Sequence, residues 1–172
     1  KEFSAKANPN AAIPDDGGAT SLKVKITLPN KSFRLMGIEI GVKIAHSRIG
    51  DLSLTITSPQ GTVGTLVRRV LYDSDVAAAT DFGSQNANIF HRFGCGRQWG
   101  EDPAGEWTLT ISDAVKGQSG TLNSWEVLVA GDDANANNLY VFTDDYGTKP
   151  ADGHKVIADT NGGVDTINTS PI

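Results

Sequence analysis

From Leu22 to Leu28 an apolar side chain falls at every second position, with Lys23, Lys25 and Thr27 between, and this period of two constrains the fold more than any other feature. Successive side chains of a strand point to opposite faces, so such a run buries one face and wets the other. The alternation returns at Ile38, Ile40, Val42 and Ile44, then at Leu52, Leu54 and Ile56, and less cleanly from Val63 to Val70. Two later runs, Trp107, Leu109, Ile111 and Trp125, Val127, Val129, repeat it. Turn residues close the runs at Pro29-Asn30 and Ser58-Pro59-Gln60-Gly61, and Gly117-Gln118-Ser119-Gly120 has the composition of a hairpin connection.

At least six short strands, with no sustained 3.6-residue period, predict an all-β fold: a jelly-roll sandwich or barrel of about eight antiparallel strands. A parallel sheet is not expected, because no crossover helices are available. With 172 residues, 19 of them glycine and only one methionine, the chain has the balance of one turn-rich domain with a short appendage. The boundaries read as a linker or cloning remnant over 1–12, the jelly roll over 13–131, an Asn-rich linker over 132–138 and a second, incomplete unit over 139–172. Trp107 and Trp125 fall at inward positions and are assigned to the core, each able to bury roughly 200 Å².

The formal net charge is −5, and the basic residues cluster only as the pairs Lys23/Lys25 and Arg68/Arg69, so no nucleic-acid partner is expected. No run approaches the roughly 18 apolar residues of a membrane span. Cys95 is the single cysteine, which leaves no intrachain disulfide. Catalysis is not expected: no serine sits in a Gly-x-Ser-x-Gly elbow, no His-Glu-x-x-His motif occurs, and adjacent carboxylates such as Glu101 and Asp102 diverge where glycoside chemistry needs opposed ones. His46 lies five residues before Asp51 and is read as a hydrogen-bonded loop histidine.

Calcium takes six to eight oxygens from flexible loops, and carboxylates concentrate at the expected strand ends. Asp15 and Asp16 beside Gly17-Gly18, Asp51 after Gly50, Asp81, and Glu101 with Asp102 are the candidate ligands, expected to converge at one end of the barrel.

Four segments in order resemble the P domain, or homo B domain, of subtilisin-like proprotein convertases such as kexin and furin. They are Ile13-Pro14-Asp15; His46 through Gly50-Asp51-Leu52; Ser58-Pro59-Gln60-Gly61-Thr62; and Gly100-Glu101 through Gly105-Glu106-Trp107-Thr108-Leu109 to Asp113, Gly117, Gly120 and Trp125. The segment from Leu71 to Gly100 fits least well. The resemblance implies a non-catalytic accessory domain of a secreted serine peptidase, packed against a subtilisin-like catalytic domain that it helps to fold, with protein substrate as a second candidate partner. Farther on, Asp159 through Gly162-Gly163-Val164-Asp165-Thr166 resembles the opening of the serralysin-type, RTX-like module, which would make Asp159 and Asp165 calcium ligands. Two rival readings are a free-standing carbohydrate- or protein-binding module, favoured if Tyr140, Phe142 or Tyr146 cluster exposed, and the accessory domain of a secreted metallopeptidase.

Overall fold

The computed structural model describes residues 1–29, 33–68, 84, 86–133, 137, 139–141 and 162–168. The chain divides into two units, Lys1–Asp133 and Ala134–Ile172. Among the described residues the first carries nine strands: β1 (Glu2–Ala7), β2 (Ala11–Ile13), β3 (Leu22–Leu28), β4 (Phe33–His46), β5 (Leu52–Thr57), β6 (Val63–Val67), β7 (Ile89–Gly94), β8 (Gly105–Asp113) and β9 (Gly120–Asp133), with one 3-10 turn at Ile49–Asp51. None of the described helical segments is long and apolar enough to cross a membrane.

Two antiparallel sheets form a sandwich. One has the order β1-β9-β4-β7, with β2 also on β9; the other is β3-β8-β5-β6. The alternating runs expected from the sequence are strands, the run from Val63 only as far as Val67, with 69–70 outside the described residues. The inward residues of both sheets merge in one core that contains Ile40, Val42 and Val127 from the first and Ile26, Leu54 and Leu109 from the second. Trp107 and Trp125 are at most 1% exposed and are core residues, as expected. Trp107 donates its indole N–H to the Pro103 carbonyl at 2.9 Å, so burial leaves no unmet polar group on that ring.

Three expectations are corrected. Residues 1–12 are not a linker: β1 pairs along β9 from Glu2–Ala130 to Ala7–Trp125, because Phe3, Ala5 and Ala7 turn toward the core while Glu2, Ser4 and Lys6 face out. Phe3 meets Phe33 edge-on at 5.0 Å. Gly117–Gly120 does not close a hairpin, since β8 and β9 belong to different sheets and the loop between them crosses the sandwich. In the second unit, β10 (Leu139–Val141) and β11 (Thr166–Asn168) pair in parallel, so a parallel pair is present where none was expected.

The long partners β4 and β9 slip register twice, between Leu35 and Gly37 and between Lys43 and Ile44. Each bulge sets one extra residue, Met36 and Asn123, outside the alternation, so the inward residues stay inward on both sides of it.

Candidate functional site

One end of the sandwich gathers the loop between β2 and β3, the turn at 49–51 and the loop between β8 and β9. Asp51 is 1% exposed, and its carbonyl accepts the Ala114 N–H at 3.1 Å, which ties two of these loops together. The third is close by: a Cβ added at Gly18 would lie 3.6 Å from Ala114 Cα. Asp15 accepts the Gly117 N–H with both oxygens, at 2.8 and 3.0 Å. Asp16 accepts the Thr20 hydroxyl at 2.5 Å; this bond and then the Thr20 amide hold its carboxyl below the ordinary 3.8 against desolvation, with lesser help from the Ala19 and Gly18 amides.

Two carboxylate oxygens here are buried without a hydrogen bond, Asp16 Oδ1 and Asp51 Oδ2. Arg48 Nε lies 3.7 Å from Asp51 Oδ1. Arg48 already brings a cation near the Asp51 carboxylate, and Asp16 is the less enclosed of the two; a hard metal ion there would draw on such oxygens. Among the described residues, no three His, Cys, Asp or Glu side chains converge as a metal-binding group, so backbone carbonyls and water would have to complete any shell. Asp81 lies outside the described residues.

Glu101 and Asp102 sit at the other end, in the connection from β7 to β8, so the six sandwich candidates are not one cluster. Asp102 accepts the Ala104 N–H at 2.9 Å as a turn residue, while Glu101 Oε2 is buried without a partner. In the second unit Asp165 is exposed beside Gly162 and Gly163, both at positive φ, and Asp159 lies outside the described residues.

His46 is the last residue of β4, and its partner is Asp113 rather than Asp51. Its Nε2 lies 3.0 Å from Asp113 Oδ2, with neither side chain exposed. The other ring nitrogen, Nδ1, accepts the Arg48 N–H at 3.0 Å. Both nitrogens are thus engaged, one by a carboxylate and one by backbone, which leaves neither to activate a serine. The pair is structural.

The sequence did not single out Trp99. It is 69% exposed on a turn at the Glu101 end, next to Met36 at 55%. The turn is rigidly mounted: Gly100 N–H donates to the Leu35 carbonyl at 2.8 Å, Leu35 N–H to that of Glu101 at 3.0 Å, and the Arg34 guanidinium to that of Gly100 at 3.0 Å. A tryptophan off the strand alternation was the available signal, and the bulge that exposes Met36 is legible only once β9 is known to be its partner.

The fold is thus a two-sheet antiparallel module, and the His46–Asp113 pair lies sealed in its interior. Residues 35–129 match the family described as "Proprotein convertase P-domain", and the chain belongs to that family. It is 30% identical to mouse furin over 104 residues, 60% of this chain and 12% of furin. It is 28% identical to the transglutaminase-activating metalloprotease of Streptomyces mobaraensis over 120 residues, 67% of this chain and 13% of that protein. The serine protease of Aeromonas sobria, solved with its chaperone, superposes with a TM-score of 0.61 at 21% identity over 78% of this chain and 27% of its own. The chain therefore spans only about an eighth of these curated relatives.

Proposed function

We propose that this chain is the accessory domain of a secreted peptidase and docks on a subtilisin-like catalytic domain through the Met36–Trp99 patch. The observation that carries the docking reading is the exposure of Trp99 on a turn fixed by backbone hydrogen bonds. A large apolar ring held rigidly in water stabilises nothing in the domain itself, and buried aromatic anchors of this kind dominate interfaces. Family membership supplies the occupant, a catalytic domain. The test is to mix the chain with the catalytic domain encoded beside it and measure binding by calorimetry. Trp99→Ala should weaken association at least tenfold and leave the chain's own melting point unchanged; equal binding by the variant would sink the assignment.

The jelly-roll winding, the role in folding the catalytic domain and calcium at the Asp16–Asp51 end belong to the same proposal. The two orphaned carboxylate oxygens support calcium, in the weak range of extracellular modules. The parallel pairing of β10 with β11 and the positive-φ Gly162 and Gly163 support an RTX-like reading of the tail, in which Asp159 and Asp165 would be ligands. The similarity to the Streptomyces metalloprotease keeps a metallopeptidase parent as the second reading.

A further inference from the structure

The outer face of the β1-β9-β4-β7 sheet carries a groove that the docking reading does not use. The cross-strand row Lys6, Glu126, Gly41, Arg92 runs over all four strands. Gly41 has no side chain to fill the middle of it, and a depression of about 480 Å³ results. Next to it, a second of about 530 Å³ shares Lys6, Lys43 and Ser124 with the first and adds Asn8, Asn10 and Asn123. The bulge at Asn123 places two successive polar residues, Asn123 and Ser124, along this groove where strict alternation would have turned one inward.

The charges are unevenly committed. Arg92 donates to Glu126 at 2.9 Å and lies 3.6 Å from Glu39, so the two acids nearest the groove are engaged with one guanidinium, while Glu2 stands four residues from Lys6 toward the far end of β1. Lys6 and Lys43 line the junction of the two depressions, exposed and without an acid partner among the described residues. In a chain of net charge −5, two unneutralised ammoniums over one groove form a local anion site. Directly across from Lys43 stands Phe90, 88% exposed.

We propose that this groove binds an acidic oligosaccharide of the uronic-acid-containing class. The ammoniums would meet the carboxylates, and the exposed Phe90 ring offers its electron-rich face to the C–H face of a sugar. The asparagine amides both donate and accept, as hydroxyl-rich ligands require. From β7 to β1 is three strand spacings, about 14 Å, which favours a short chain of sugars over a single ring. An acidic peptide is the weaker fit. Extended peptides draw affinity from a free sheet edge, which only the outer strands β1 and β7 have, whereas the middle of this groove lies over β9 and β4, whose backbone groups are spent in the ladders on both sides.

Calorimetric titration of the full chain with trigalacturonate, maltotriose and a triglutamate peptide tests this. Trigalacturonate should bind, more weakly as salt is added, and more tightly than either of the others. Lys43→Gln and Phe90→Ala should each reduce its affinity about tenfold, the scale of losing one charge-assisted or stacking contact, with no change in melting point. No heat with trigalacturonate at millimolar concentration, equal affinity in both variants, or tighter binding of triglutamate would each overturn the proposal. None of these results bears on the Trp99 patch.

Discussion

The imidazole of His46 and the carboxylate of Asp113, 67 residues apart in sequence, meet at 3.0 Å where neither is exposed. Because Nδ1 accepts from Arg48, the ring proton must sit on Nε2 and be donated to Asp113, whose other oxygen accepts the Val115 N–H at 3.1 Å. One pair thus ties the end of β4 to the end of β8, across the two sheets.

Removing the ring leaves a buried carboxylate short of a donor and opens a void. His46→Ala should therefore lower unfolding stability by about 3 kcal/mol, and Asp113→Asn, which keeps the shape, by about half of that. Urea denaturation reads both, and a loss under about 0.5 kcal/mol for His46→Ala would mean that the pair contributes no net stability.

Gly120 faces the same ring. A Cβ there would collide with the His46 imidazole and come within 2.8 Å of the Ala45 carbonyl oxygen, which belongs to rigid strand backbone. Gly120→Ala should cost at least about 2 kcal/mol, as overpacking of a close-packed interior does. Gly41→Ala, whose Cβ meets nothing closer than 3.6 Å, should be close to neutral in the same thermal scan.

Calcium, if held by the Asp16–Asp51 end, stabilises the folded chain by mass action. At 100 times its dissociation constant it should add about 2.7 kcal/mol, a rise of roughly 5 to 10 °C over chelated protein. Asp51→Asn should abolish the rise. An identical melting point with chelator and with millimolar calcium removes the ion from the account.

The bonds that lower the Asp16 carboxyl, led by the Thr20 hydroxyl, make the 14–20 loop sensitive to acid. A group whose folded value is depressed contributes stability above its unfolded value and loses it as pH falls through the folded one. The loop should hold above the ordinary 3.8 and loosen below it, with Thr20→Ala moving the Asp16 titration upward. Carboxyl carbon shifts in NMR report the site directly; an unmoved titration in Thr20→Ala would assign the effect to the backbone amides instead.

The strands were readable because alternation is local, and the partners were not because pairing is not. Nothing in Gly117–Gly120 distinguishes a hairpin from a crossing between sheets: both need the same tight-turning residues. Asp51, five residues from His46, was the natural guess for its partner, yet Asp113 reaches it by a route that only the sheet topology reveals. β1 was missed since two of its three inward residues are alanines, which carry little hydrophobic signal. Among the candidate ligands, burial separated Asp51 from the exposed Asp15, a distinction composition does not contain.

The central strand β9 is bonded to β1, β2 and β4, and it is the last strand of its unit to be synthesised. Glu2 waits for Ala130, 128 residues later, so at about 5 to 20 residues per second the first strand stays unpaired for roughly 6 to 26 s on the ribosome. The first sheet consequently assembles only after nearly all of the unit has been translated, and a ribosome stalled before residue 120 would display β1 and β4 as open edges for other chains to capture.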